Sequence, residues 1–334
     1  MSEIADSLRE AADDLFRREL KGPGGKFSET LWRSLESVEL PLVGVPEQSG
    51  GAGGGLGEAT ALARSTGYHA VPAPLVETGM LAGRVLAEAG FQVPSGPLSL
   101  VVGELGLKPE GEGWELDGTA GLVPWASVAS HLVVLSRGQV ALVDPGQAVV
   151  SGGANLAGEP RDGVAFRGAR LPASAVRAAP PGLDHEEVLL RGALARAAQI
   201  SGGLERILAM SVQYSLDRSQ FGRPLARFQA LQHGAATAAG DLAAAMAAVE
   251  AAVEAPGPLT IGIAKAVCSA AVGPATRFAH QLHGALGFTD EHPLYNYTTR
   301  LWAWRDEFGS EEEWWIRIGR RAAENGKQIW QLLS

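Results

Sequence analysis

The feature that most constrains this chain is a hydrophobic repeat that changes period twice. Near the start, Ile4, Leu8, Ala12, Leu15 and Phe16 recur at helical spacing, and Ser28 stands as a cap before Leu31, Trp32 and Leu35. Leu56 to Tyr68 and Val76 to Ala89 repeat the pattern on either side of a loop. From Leu98 the runs become short and strand-like: Leu98 to Val102, Trp114 to Leu116, Leu132 to Leu135, Val140 to Val143 and Val164 to Phe166, punctuated by Gly, Pro and Asp. After Pro180-Pro181-Gly182 come four long helical stretches, at Glu186 to Asp217, Leu225 to Val253, Leu259 to Leu286 and Ser310 to Leu333. The expected architecture is mainly α with a small β domain: a helical domain over 1–97, a middle β domain over 98–180, and a C-terminal four-helix bundle over 181–334. The run Ala235 to Ala255 fits that bundle, because alanine lets helices approach closely.

Composition narrows the function classes. The 28 Lys and Arg against 37 Asp and Glu give a formal net charge of -9, which argues against a nucleic-acid partner, since phosphate contacts need a basic face. A single cysteine, Cys268, excludes an internal disulfide framework and thiolate zinc clusters, and the histidines lack metal-like spacing. The first eighteen residues lack the pattern of a secretory signal, and no window is expected to span a bilayer. The expectation is a cytoplasmic protein without a membrane partner.

Two strings carry chemistry. Tyr214-Ser215-Leu216-Asp217-Arg218-Ser219-Gln220-Phe221-Gly222-Arg223-Pro224 joins two long helices; Gly222 supplies a permissive backbone and Pro224 suits the first turn of the next helix. Alone it reads as a helical hairpin. The second string, Gln281-Leu282-His283-Gly284-Ala285-Leu286-Gly287-Phe288-Thr289-Asp290-Glu291, closes the third long helix. Together they resemble the R-x-Q-F-G and Q-x-H-G turns of the acyl-CoA dehydrogenase family. Leu42-Val43-Gly44-Val45-Pro46-Glu47-Gln48-Ser49-Gly50-Gly51-Ala52-Gly53 is similar to that family's N-terminal loop, and Leu171 to Val176 to its exit from the β domain. Read without the resemblance, the glycine run is a flexible loop, because it lacks the Lys-Ser/Thr ending of a phosphate loop.

The resemblance implies a barrel-like middle domain and FAD shared between subunits. It also implies cofactor contacts from Arg218, Gln220, Phe221, Phe228, Gln281, His283, Gly284, Trp125 and Ser310. A guanidinium suits a pyrophosphate because it is planar and always charged. The implied reaction removes the α-proton of an acyl-CoA to a carboxylate and the β-hydride to flavin, with electrons leaving through an electron-transfer flavoprotein. The implied assembly is a homo-oligomer or a heterotetramer with a second acyl-CoA dehydrogenase subunit.

The match breaks at the base. Where the family places a glutamate before its Gly-Thr pair, this chain has Phe308, and the alternative helix position falls at Gly192. Glu307 and, next, Asp306 are the remaining candidates, whereas Glu311 to Glu313 read as a solvated helix start. Ala285 replaces a frequent glycine, and Leu98 to Gly106 departs from the family's flavin-contacting stretch. Such losses suit a short subunit whose active site is completed, or wholly supplied, by another chain, the latter making this chain a non-catalytic partner that lends part of the FAD site and the interface. Trp302, Trp304, Trp314 and Trp315 read either as walls of a bulky, steroid-like acyl pocket or as packing.

Overall fold

The computed structural model describes residues 3–22, 24–289 and 292–324. The chain forms two compact units. One runs to Ala63 and resumes over Val71–Arg191; the other comprises Arg64–Ala70 and everything from Gly192.

In the first unit, α1 (Glu3–Glu19), α2 (Glu29–Glu36) and the start of α3 (Leu56–His69) bury Phe16, Trp32, Leu35 and Leu62 in one apolar cluster. Ser28 caps α2, its hydroxyl accepting from the Leu31 amide at 3.5 Å. A fully buried π-helical stretch, Glu77–Gly83, leads into α4 (Arg84–Glu88). Glycine permits it, because a Cβ at Gly79 would lie 2.7 Å from the Pro41 carbonyl oxygen. The glycine loop expected to be flexible is fastened instead: Gly44 N donates to Gly53 O at 2.8 Å, and Gly53 N to Val45 O at 2.9 Å. A Cβ at Gly51 would meet the Val45 carbonyl at 2.1 Å, so the close backbone crossing explains that glycine.

Eight strands follow: β1 (Leu98–Val102), β2 (Gly106–Glu110), β3 (Gly113–Pro124), β4 (His131–Ser136), β5 (Gln139–Val143), β6 (Ala148–Ser151), β7 (Arg161–Pro172) and β8 (Val176–Ala178). They form two four-stranded sheets, ordered β1-β4-β5-β8 and β2-β3-β7-β6, with β1 and β4 parallel. Val101, Leu132 and Val134 of the first sheet and Leu116, Val164 and Phe166 of the second meet in one core. The barrel-like expectation is therefore corrected: the sheets stay open, each with its own edge strands.

The second unit holds most of α5 (His185–Asp217), then the two-residue strands β9 (Ser219–Gln220) and β10 (Arg223–Pro224), α6 (Gln229–Glu254), α7 (Pro258–His283), α8 (Leu294–Asp306) and α9 (Glu311–Glu324). The end of α3 crosses α5 at backbone contact, since a Cβ at Gly67 would lie 2.0 Å from Gln199 O and one at Gly202 1.9 Å from Arg64 O. The helical C-terminal part is as expected in kind, with one addition: α8 lies where no helix is expected. The final expected helix is observed to Glu324, and its remainder lies outside the described residues. Two stretches, Gln229–Glu254 and Pro258–Phe288, are long and apolar enough by length and composition to cross a membrane, contrary to the expectation that none is. The reason is alanine and valine content; the apolar window of the second is 61% buried within the fold.

Candidate functional site

The two motif strings meet at one end of the helical unit. Tyr214, in the last turn of α5, stacks on His283, the last residue of α7, with ring centroids 4.4 Å apart. One turn later the Arg218 amide donates to the Tyr214 carbonyl at 2.9 Å, ending the helix. Ser219-Gln220 and Arg223-Pro224 then pair as a minimal hairpin that turns at Phe221 (φ 52°) and Gly222 (φ 77°). Arg218, Gln220, Gln281 and Gly284 are exposed there, and Phe221 is 91% exposed. Phe228 is half-buried, its ring 4.1 Å beneath the Arg223 guanidinium.

These residues fit a dinucleotide on two observations. Arg218 makes no ion pair with another described residue, so its charge is unspent. His283, although buried, has no partner for Nε2 among the described residues. Its Nδ1 lies 2.8 Å from the Ala279 carbonyl, which requires the proton on that nitrogen and leaves Nε2 as an acceptor. Burial pushes the imidazole below its ordinary pKa, so the ring stays neutral. Gly284 adopts φ 62°, ψ -145°, with nothing within 4 Å of a would-be Cβ, leaving open space beside the backbone. Arg218 and Gln220 would hold the phosphates and adjacent groups of FAD; Gln281, His283 and Gly284 would offer donor, acceptor and clearance. Asp290 and Glu291 of the second string lie outside the described residues.

The expected catalytic residues sit at a different bend, between α8 and α9. Asp306 ends α8 and is exposed. Glu307 turns inward and accepts from Arg196 Nε at 2.8 Å. Arg196, on α5, is 1% exposed; it also donates to Gln199, which in turn donates to Thr66 Oγ1 at 3.1 Å. Phe308 follows at φ 53° and lies on Gly192: a Cβ there would come 2.1 Å from the Phe308 ring. The same ring lies 5.5 Å from the Arg196 guanidinium. The two positions at which the resemblance places a base are thus neighbours, and a phenyl ring fills the room between them.

Ser310 is spent on structure. Its amide donates to Glu313 Oε2 at 2.7 Å while the Glu313 amide donates to its hydroxyl at 3.3 Å, a reciprocal cap for α9. These bonds hold the Glu313 carboxyl below its ordinary pKa. Trp304 and Trp314 are core residues, Trp315 is 43% exposed, and Trp302 stacks near Arg305. Trp125 belongs to the first unit, where it is 4% exposed with φ 59°. Asp162, 1% exposed, fixes that turn by accepting from the Ser127 amide at 2.7 Å. Sequence reasoning missed Arg196, Gln199 and Asp162. A visible signal for the first two was a cation and an amide within the apolar run Leu189 to Ile200.

The family model for the acyl-CoA dehydrogenase C-terminal domain matches residues 185–323. Acyl-CoA dehydrogenase IpdE2 from Mycobacterium tuberculosis is 31% identical over 285 residues, covering 82% of this chain and 80% of its own. Among solved structures, the ChsE4-ChsE5 complex from Mycobacterium tuberculosis superposes with a TM-score of 0.83 at 23% identity, covering 97% of this chain and 98% of that one. A Tcur3481-Tcur3483 steroid ACAD variant gives 0.83 at 25% identity, with coverage of 97% and 98%.

Proposed function

Since this chain belongs to the acyl-CoA dehydrogenase family, we propose that it is the FAD-sharing subunit of a heteromeric acyl-CoA dehydrogenase whose catalytic carboxylate comes from a second, homologous subunit. The flavin, when bound, supplies the acceptor for the β-hydride of the acyl-CoA while a carboxylate takes the α-proton, giving a trans-2-enoyl-CoA. This chain's part is to grip a flavin shared with its neighbour, through Arg218, Gln220 and Phe221 together with Gln281, His283 and Gly284. The observation that carries the reading is Phe308 lying on Gly192. A carboxylate at either position is replaced by an apolar ring or by hydrogen, and Glu307 is engaged by a buried guanidinium. Two of the matched structures are mixed or steroid-acting enzymes by name, which supports the heteromeric reading and a bulky, steroid-derived acyl group. An electron-transfer flavoprotein is the proposed acceptor.

A second reading, in which Glu307 is itself the base, is favoured by its side chain keeping 18% exposure. It requires the carboxylate to leave Arg196. Co-expression with a longer homologue decides between them. The expected result is a yellow mixed assembly reduced by acyl-CoA, with Glu307→Gln reducing at the parental rate. A flavoprotein reducible by acyl-CoA without any partner overturns the leading reading, and loss of reduction in Glu307→Gln establishes the second.

A further inference from the structure

Lys265 lies in the N-terminal third of α7 with no exposed surface. A buried ammonium is costly unless each of its donors is satisfied. Here the three N–H groups have three acceptors: the Arg305 carbonyl at 2.6 Å, the Gly309 carbonyl at 2.9 Å and Ser269 Oγ at 3.1 Å. Ser269 itself donates to the Arg305 carbonyl at 3.3 Å. The lysine thus spans the α8–α9 bend, holding the carbonyl before it and the carbonyl within it. Between those anchors stand Asp306, Glu307 and Phe308. The Phe308 carbonyl is held from the other side by the Trp314 indole N–H at 3.0 Å, and Gly309 at φ 92° leaves room for that indole, which a Cβ would approach to 2.5 Å.

We propose that Lys265 is a positioning residue: its ammonium fixes the α8–α9 bend in the conformation that lays Phe308 on Gly192 and Glu307 on Arg196. A helix end followed by one extended and two left-handed residues has several alternative paths, and two bonds from one rigidly buried donor select among them. The inference deepens the reading above, because the bend it holds is where that reading finds no base. Burial pushes the lysine down to about 8, against the opposing pull of Asp306 and Glu307 and with repulsion from Arg196. Glu313, at the start of α9, also feels its charge. Cys268 is itself pushed up to about 12 by burial, so it stays a neutral thiol while the lysine titrates. Loss of the proton removes one of the three donors and loosens the clamp.

The test reads the bend directly. In the full-length chain, the Trp314 indole N–H resonance, assigned through Trp314→Phe, is expected to shift with pH with a midpoint near 8. In Lys265→Met it is expected to sit away from its parental position and to lose that titration. A parental resonance that follows no single-proton titration anywhere between neutral pH and the onset of alkaline unfolding overturns the proposal, as does a folded Lys265→Met chain with the parental Trp314 signal. If Lys265→Met does not fold, the parental titration alone decides. No flavin enters this measurement, so a chain that fails to share FAD leaves it intact, and a failed titration leaves flavin sharing untouched.

Discussion

Two Phe-Gly pairs in the helical unit share a backbone and differ in fate. Phe221-Gly222 has φ values of 52° and 77°; Phe308-Gly309 has 53° and 92°. A left-handed phenylalanine costs roughly 1–2 kcal/mol. At position 308 the molecule offsets that cost internally: the ring rests on Gly192, the flanking carbonyls take Lys265, and Trp314 closes the turn. At position 221 the ring is 91% exposed, touched edge-on by Phe228, and Gly222 faces open space. Strain compensated within a chain reads as architecture. Strain left uncompensated reads as a surface prepared for something that binds there.

The sharpest way to break this comparison is to truncate both rings. Phe308→Ala is expected to cost about 3 kcal/mol of unfolding free energy. Phe221→Ala should change it by less than about 0.5 kcal/mol, with its loss appearing in flavin retention. Denaturant titration of the two variants side by side checks this; equal losses would erase the distinction. Next, Gly192→Ala should cost about 1–3 kcal/mol by driving a methyl into the Phe308 ring. The same change in a Phe308→Ala background should cost much less, so a double-mutant cycle with strong coupling is expected.

A smaller effect concerns the exposed bend. Arg218→Ala should weaken flavin binding about tenfold, the loss of one charge-assisted contact, as measured by flavin release from the assembly. The unfolding curve of the flavin-free chain should not move. Smallest of all, Ser310→Ala removes one half of the α9 cap and should cost about 1 kcal/mol, read from thermal melting.

Much of the fold was legible because its signals are local. The period change near Leu98 and the Ser28 cap each specify structure within a few residues. The helix α8 was not legible in the same way. Its buried set of Leu294, Tyr297, Thr298, Arg300, Leu301 and Trp304 mixes aromatic, hydroxyl and cationic side chains, so no apolar stripe marks it. The π-helical stretch at Glu77–Gly83 was hidden for another reason, since an extra residue per turn depends on how closely Pro41 and Val45 approach. At the candidate site the exposed motif residues stood out by their pattern. Arg196 and Lys265 were not, because a partner more than forty residues away, or nearly so, gives each its purpose: Glu307 for one, the carbonyls of Arg305 and Gly309 for the other.

Gly284 carries a consequence for how this surface can change over time. Its φ of 62° with ψ of -145° is barred to L-residues by handedness, although the neighbourhood would accommodate a side chain. Drift at this codon is therefore closed by chirality rather than by crowding. Ala285, one step on and exposed, has no such restriction and is free to diverge. Selection at the turn acts on the shape of the main chain first, and on side-chain identity only afterwards.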